Sequence, residues 1–179
     1  MKKLLFVPLV FILLFSLTAC GFILGKKPTS KEKLLSLDDE ELFEQIMFRC
    51  FDSTSGFDLV SSTDEQKTVY TLMNLQLEVD NGGLCQFFVN SSGECAPYVS
   101  EALEKAGALK IKKLYDDFIA DNHIDVFDLS SFKTDSTEAF QEQYKRFNFN
   151  RFDHAFYEEE NLHDLIVKYI RKNFDRIIF

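Results

Sequence analysis

The sequence predicts an all-α fold for the part of the chain that follows its N-terminal segment. Apolar residues recur at intervals of three and four from about residue 36 to the C-terminus, the spacing of one face of an α-helix. No stretch keeps the apolar and polar alternation of a half-buried strand. Residues that commonly begin or end helices, such as Ser36, Ser62 and Gly107, stand between the apolar stretches. These observations predict a single compact multi-helix domain.

The N-terminal segment has the pattern of a lipoprotein signal peptide. Two lysines precede an uncharged apolar run over residues 4–17, which is short for a bilayer span. The run closes on Leu-Thr-Ala-Cys, so cleavage would leave Cys20 as the first, lipidated residue. Each methylene of an acyl chain adds about 0.8 kcal/mol of membrane affinity, so two or three chains anchor durably. The alternative is an uncleaved membrane helix, which Pro8 and the short run disfavour.

This pattern divides the chain into three parts. Residues 1–19 form the signal peptide, and residues 20–32 form a lipidated N-terminus with a flexible tether of Gly, Lys, Pro and Ser. Residues 33–179 form the folded domain, which is long enough for one sizeable core. The expected location is the extracytoplasmic face of the cell membrane or outer envelope, where the lipid on Cys20 holds the domain.

The charge of the chain is strongly acidic. Its formal net charge of -9 becomes -11 once residues 1–19 are removed, because they hold two lysines and no acidic residue and leave 18 basic against 29 acidic residues. Such a surface repels nucleic acid and anionic headgroups and favours basic partners, cations or simple solubility. If the acidic runs share a face, they form a candidate binding surface; otherwise they are solvated. Its residues are Asp38, Asp39, Asp116, Asp117, Glu158, Glu159 and Glu160.

The first half of the domain contains three predicted helices. Ser36 and Asp39 resemble a capping box before an apolar face over residues 42–50. Ser62 and Glu65 repeat that pattern before a second helix, which should stop at residues 81–83, where two glycines permit a left-handed cap. A short apolar piece and a turn follow. Ser91 is then a further candidate cap for a helix that ends at Gly107.

The second half continues in the same way. An amphipathic helix with its apolar stripe over residues 111–119 should end near Asn122, and residues 123–134 form a connection. Two more helices are predicted over residues 140–147 and 162–174, and the stretch between them, residues 152–157, is apolar enough to dock on the core. Sixteen phenylalanines lie between residues 43 and 179 and the chain has no tryptophan, so phenylalanine must supply most of the core.

Cysteines and histidines provide no recognisable metal site. Besides Cys20 the chain has three cysteines, an odd number that leaves at least one free thiol. Cys85 and Cys95 flank a short turn and could pair, although buried free thiols are the favoured interpretation of Cys50, Cys85 and Cys95. The three histidines lack paired-ligand spacing, so no metal or cofactor is expected.

Residues 77–93 carry a family resemblance. Their sequence, LEVDNGGLCQFFVNSSG, resembles the signature E-x-x-N-G-G-F-x-Q-[YF]-F-x-N-x-x-G of the bacterial DNA-mimic protein family. The stretches EAL with AGA over residues 101–108, and FY and YIRKN near the C-terminus, resemble the flanks of that signature, and the similarity covers about residues 37–179. One departure is Leu84, where the family usually has an aromatic residue. The resemblance implies an all-α fold and, for the namesake member, an acidic surface that occupies the DNA-binding site of a transcription factor.

The polar residues of this segment have two interpretations. They form either a polar ligand pocket or a buried hydrogen-bond network that fixes helix packing, with the glycines as a helix stop and close-packing turn. Packing is the commoner role of such groups. The residues concerned are Glu78, Asn81, Gly82, Gly83, Gln86 and Asn90.

Two function classes follow from the sequence. The leading hypothesis is a non-catalytic, lipid-anchored binding domain whose acidic helical surface engages a basic protein partner, for instance in an immunity-like role, without binding nucleic acid itself. The alternative is a small cysteine hydrolase of the cell envelope that pairs Cys85 with His154 or His163. No nucleophile elbow, phosphate loop or metal set supports that alternative.

Overall fold

A computed structural model describes residues 30–51, 58–59 and 61–177. Over these residues the chain forms nine α-helices and two 3-10 helices and contains no strand, so the predicted all-α fold is confirmed. The α-helices are α1 (Lys31–Leu35), α2 (Asp39–Phe51), α3 (Asp64–Val89), α4 (Val99–Ala106), α5 (Leu109–Asp121), α6 (Thr137–Arg146), α7 (Phe149–Glu159), α8 (Leu162–Lys172) and α9 (Phe174–Ile177). The 3-10 helices are η1 (Ser91–Tyr98) and η2 (Ser130–Phe132).

Predictions on residues 1–29, which include the signal peptide, Cys20 and most of the tether, lie outside the described residues. Within the described part, no helix combines the length and apolar character needed to cross a membrane. Helix α1 begins at Lys31 because the Ser30 side chain accepts a hydrogen bond from Lys33 N–H. The folded structure therefore includes residues that composition alone assigned to the tether.

Helix α3 is the central element of the fold. It packs against α2, α4, α6, α7, α8, α9 and both 3-10 helices. Its buried side chains point in every direction around the helix axis, as a helix enclosed by other helices requires. The polar groups at its break, described below, are therefore positioned by neighbouring elements.

Helix α3 begins one residue later than the sequence predicted. Thr63, not Ser62, is the cap: its hydroxyl accepts from Gln66 N–H and the Gln66 side chain accepts from Thr63 N–H. The Thr63 hydroxyl also donates to the carbonyl of Arg176, and Arg176 pairs with Glu65 at 2.8 Å. These long-range contacts favour Thr63 and fasten α9 to the start of α3.

The predicted cap of α2 is also wrong. Asp38 caps this helix, because its carboxylate accepts from Glu41 N–H at 2.9 Å. Ser36 ends α1 instead, and its hydroxyl donates to the Lys33 carbonyl. The carboxylate at residue 38 is an equally good acceptor that stands closer to the helix.

The predicted C-terminal ends of α4 and α5 are confirmed, but the predicted start of α4 at Ser91 is wrong. Gly107 ends α4 in the left-handed conformation with φ of 80°, and Asn122 follows α5. Residues after Ser91 form η1 rather than the first turn of an α-helix, and Ser91 makes no capping bond. Pro97 within η1 cannot donate a backbone hydrogen bond, which disfavours a continuous α-helix there.

Phenylalanines dominate the core, as their number predicted. Phe88 of α3 packs against Phe132 and Phe149, with ring centroids 5.1 Å and 6.0 Å apart. Phe118 of α5 contacts Phe149 and Phe152 of α7. Rings at these separations meet edge-on or tilted, which their quadrupoles favour. The cluster joins α3, α5, α7 and η2 into one core.

Candidate functional site

The family-like segment contains a sharp break in α3. Gly82 has non-helical backbone angles, with φ of -161° and ψ of 18°, and Gly83 has φ of 80° and ψ of 177°. A positive φ with ψ near 180° is essentially restricted to glycine. The predicted helix stop is therefore confirmed as a break, but helical structure resumes at Leu84 without an intervening loop.

Helix α7 bonds two backbone groups beside the break. Asp153 Oδ1 accepts from Leu84 N–H at 2.9 Å, and the Tyr157 hydroxyl donates to the Val79 carbonyl at 3.0 Å. Asp153 Oδ2 accepts from the Tyr144 hydroxyl at 2.9 Å. The resumed helix thus has its N-terminal cap from a residue far away in sequence. The break and α7 form one structural unit.

Burial changes the acidity of these side chains. Desolvation raises the pKa of Asp153, and the hydrogen bonds from Leu84 and Tyr144 offset this only in part. Burial and the neighbouring carboxylate raise the pKa of Tyr144 to about 12, and partial desolvation together with Asp80 raises the pKa of the more exposed Tyr157 to about 12. Neither phenol exchanges a proton near neutral pH, so these tyrosines act as fixed hydrogen-bond donors.

Glu78, in the part of α3 that precedes the break, lies at the centre of a polar network. Its Oε2 accepts from the side-chain amides of Gln86 at 2.7 Å and Asn90 at 2.9 Å. Its Oε1 accepts from the Ser92 hydroxyl at 2.8 Å. The carboxylate therefore links both parts of α3 to η1. The candidate residue Asn81 is exposed and takes no part in these bonds.

This geometry fits the packing interpretation of the polar residues. Both oxygens of Glu78 bond donors of the same chain, and the donors belong to the segments that the network joins. The two glycines allow this close approach: a Cβ on Gly82 would overlap Gln86 Oε1, and a Cβ on Gly83 would overlap Asp153 Oδ2. What the arrangement does chemically is hold a helix break in one conformation.

Most of the predicted acidic surface residues bond within the chain. Asp38 caps α2, and Asp39 pairs with Arg171 at 2.6 Å. On α5, two lysines pair with Asp116 and Asp117 one helical turn later, at 2.8 Å and 2.5 Å. Much of the charge in these runs is therefore compensated locally.

The C-terminal run of α7 has a structural role as well. Glu160 Oε2 accepts from the backbone N–H groups of Lys110 and Ile111 at 2.9 Å and 3.3 Å, which caps the start of α5. Glu159 lies 3.9 Å from the Lys110 ammonium, while Glu158 is exposed without an ion pair in the described part of the chain. The three runs thus start α2, line α5 and end α7.

The remaining cysteines are buried free thiols, as predicted. Burial raises the pKa of Cys50, Cys85 and Cys95 to about 12 each, and Asp153 adds to the effect at Cys85. A nucleophilic cysteine needs the opposite, a lowered pKa and an exposed sulfur. His163 lies tilted against the Phe43 ring, with centroids 4.4 Å apart, and faces Glu40. No group of three His, Cys, Asp or Glu among the described residues could hold a metal ion.

A protein-family model described as DMP19-like protein matches residues 61–173, more than half of the chain. The chain belongs to the DMP19-like protein family. The match contains the α3 break, the Glu78 network and all of α7, and it confirms the resemblance to DNA-mimic proteins on a shorter range than residues 37–179. Neither the curated proteins nor the solved structures yielded a match. This family membership makes an acidic, protein-binding role the coarse expectation.

Sequence reasoning missed four residues that complete the site, namely Ser92, Tyr144, Asp153 and Tyr157. A signal for Asp153 was present, because it stands on the apolar stripe formed by Phe149, Phe152 and Phe156. A lone carboxylate on such a stripe indicates a buried partner. Its partner, the backbone of Leu84, could not be identified from the sequence.

Proposed function

We propose that this chain is a lipid-anchored, non-catalytic acidic helical domain that engages a basic protein partner. The observation that carries the proposal is its excess of carboxylates within a DMP19-like chain: 18 basic against 29 acidic residues remain after residue 19. An acidic surface attracts basic protein surfaces and raises the rate at which the two proteins associate. An exported domain does not meet cytoplasmic transcription factors, so its partner is a basic protein on the same side of the membrane.

The anchor keeps the domain close to the membrane. The described structure begins at Ser30, ten residues after Cys20. An extended chain covers at most about 3.3–3.6 Å per residue, so the start of the domain lies within roughly 35 Å of the lipid. A partner is therefore intercepted at the membrane surface, which suits the immunity-like role.

The thiol chemistry does not favour the hydrolase alternative. Cys85 is fully buried and its pKa is raised to about 12, so it lacks the thiolate that attacks a substrate. No observation on the described residues favours a second function over partner binding.

The test is capture of the partner by the full chain in its native membrane. We expect photo-cross-linking to trap one protein with a basic surface, and its association rate with the full chain in nonionic detergent to fall steeply as salt is raised from well below to well above physiological ionic strength. Exposed charges are screened beyond about 8 Å at physiological ionic strength, whereas buried apolar contact is not. An association rate that is insensitive to salt would contradict the proposal.

A further inference from the structure

Phe127 is the most exposed large apolar side chain of the described residues. It lies in the connection between α5 and η2, and 83% of its surface is exposed. Leu109 and Tyr157 follow at 59% and 57%. Its neighbours Val126 and Leu129 pack against the core, so the loop is attached on both sides of an outward-pointing ring. This ring contributes little to folding, since burial is what makes an apolar group stabilising.

Hydrogen bonds hold the loop that carries Phe127 in place. Phe127 N–H donates to Asp125 Oδ1 at 2.9 Å, and Ser130 N–H donates to Asp128 Oδ1 at 3.0 Å. Asp128 N–H also donates to the Asp125 carbonyl at 3.1 Å. The ring is therefore presented on a pre-formed turn, which lowers the conformational entropy lost on binding.

A groove of about 410 Å³ adjoins Phe127. Its apolar lining comes from the end of α3, from η1 and from the loop, and includes Val89, Pro97, Val126 and Leu129. Its charged lining residues are Glu94, Asp128 and Lys133. Hydrogen bonds from Ser130 lower the pKa of Asp128, so that this carboxylate is ionised at neutral pH.

We propose that Phe127 and this groove form the contact surface for a basic segment of a protein partner. Phe127 inserts between apolar side chains of the partner, and one apolar side chain of the partner enters the groove. Lysines or arginines beside it pair with Asp125, Asp128 and Glu94. This inference rests on the proposed function and assigns the binding to one place.

The charge of the groove favours a basic protein segment over a second copy of the chain, an anionic membrane or a nucleic acid. A second copy of the chain would bring the same carboxylates against each other, and an anionic membrane or a nucleic acid would meet them with its phosphates. A basic segment with an apolar side chain complements both the groove and its rim, where the carboxylates of Glu94, Asp125 and Asp128 outnumber the ammonium group of Lys133. An aromatic anchor surrounded by polar groups is the usual composition of a binding hot spot.

The probe for this surface is a fluorescent peptide of about four helical turns with leucines on one helical face and lysines on the other, titrated into the full chain in nonionic detergent. We expect Phe127→Ala to weaken its Kd about tenfold or more. The matched control is Leu109→Ala, which removes an exposed apolar side chain elsewhere and should change the Kd by less than about twofold. Melting temperatures should stay at the wild-type value in both variants.

A second pair of variants tests the charges. Asp125→Asn with Asp128→Asn keeps the side-chain oxygens that accept from Phe127 and Ser130, so it removes charge without removing the turn. It should weaken peptide binding and flatten its salt dependence. By contrast, Glu32→Gln with Glu41→Gln removes two exposed charges on α1 and α2 and should change the Kd by less than about twofold.

The outcomes separate this inference from the proposed function. Salt-dependent peptide binding that Phe127→Ala leaves unchanged would overturn the inference while supporting the proposed function. A peptide with glutamate in place of lysine that binds equally well, or salt-insensitive binding, would overturn both. Self-association or binding to anionic vesicles that Phe127→Ala abolishes would identify one of the excluded occupants and overturn the inference.

Discussion

Gly83 has a backbone conformation that is energetically unfavourable for every residue except glycine. Its φ of 80° and ψ of 177° are strained for any side chain, and a Cβ would also overlap the Asp153 carboxylate. We predict that Gly83→Ala lowers the free energy of unfolding by about 3 kcal/mol or more. Urea denaturation of the full chain in nonionic detergent measures this.

Gly107 provides the control for that prediction. It also has φ of 80°, but a Cβ added there would have no neighbouring atom within 4 Å. Gly107→Ala should therefore cost only the strain of a left-handed residue, about 1 kcal/mol. Equal losses for both variants would mean that contact with Asp153 contributes nothing to the requirement for glycine at residue 83.

Asp153 tests the α7 side of the break. Asp153→Ala leaves the N–H of Leu84 without its acceptor and should lower the free energy of unfolding by about 1–3 kcal/mol. Asp153→Asn should cost less, because its oxygen can still accept from Leu84 and its amide can donate to the Tyr144 hydroxyl. Urea denaturation at pH 7 measures both variants.

The two variants also predict a pH dependence. The pKa of Asp153 is raised in the folded state, so the native protein binds a proton before the unfolded chain does as pH falls. Wild type should therefore gain stability relative to Asp153→Asn from its raised pKa down to the ordinary value of 3.8, and no further below it. A difference that is constant from neutral pH to below 3.8 would show that burial does not perturb this carboxyl group.

The sequence predicted several features that depend on neighbouring residues, although it misplaced the local caps at Asp38 and Thr63, and it missed the residues whose partners are far away. The glycine break and the Gly107 helix end both follow from local geometry. The Thr63 cap was displaced by one residue because Arg176, which holds the Thr63 hydroxyl, is 113 positions away. Asp153 and Tyr157 bond a helix that lies 69 and 78 positions earlier, and no local pattern specifies that pairing.

At the scale of elements, the Glu78 network joins the two parts of α3 to η1. Glu78→Ala should lower the free energy of unfolding by about 1–3 kcal/mol, because the amides of Gln86 and Asn90 lose their acceptor. Glu78→Gln should cost less than about 1 kcal/mol, since its oxygen still accepts from the amides and its own amide can donate to the Ser92 hydroxyl.

The same pair of variants distinguishes packing from ligand binding. If the network served to bind a ligand through the Glu78 charge, Glu78→Gln would abolish binding of the captured partner while leaving the melting temperature unchanged. Partner binding at wild-type affinity in Glu78→Gln, with a lowered melting temperature in Glu78→Ala, is the outcome that the packing interpretation predicts.

At the scale of the whole molecule, the proposed lipid anchor would determine where the domain acts. We predict that Cys20 carries it, because Cys20 alone follows the small residues that close the apolar run. Labelling cells with a fatty-acid analogue should mark the wild-type chain and should not mark Cys20→Ser. Equal labelling of the two would place the lipid elsewhere and would overturn the assignment to Cys20.

The acidic runs illustrate why composition predicts charge better than it predicts a binding surface. Their abundance is evident in the sequence, but Asp39 is paired by Arg171 and Glu160 caps α5, contacts that depend on the tertiary fold. Neutralising Glu160 should therefore destabilise the start of α5, whereas neutralising Glu158 should leave the stability of the fold unchanged. Carboxylates on the loop at Asp125 and Asp128 were absent from the predicted surface because they form no run.

The reactivity of the three buried thiols reports how often the core of the protein opens. Cys50, Cys85 and Cys95 belong to the core that α2, α3 and η1 build, and their raised pKa values keep them protonated as well as enclosed. A small alkylating reagent can reach them only when those elements separate. When reclosing is faster than alkylation, the labelling rate follows the population of open molecules. The ratio of rates at Cys85 and Cys50 would then tell whether the α3 break opens before the rest of the core.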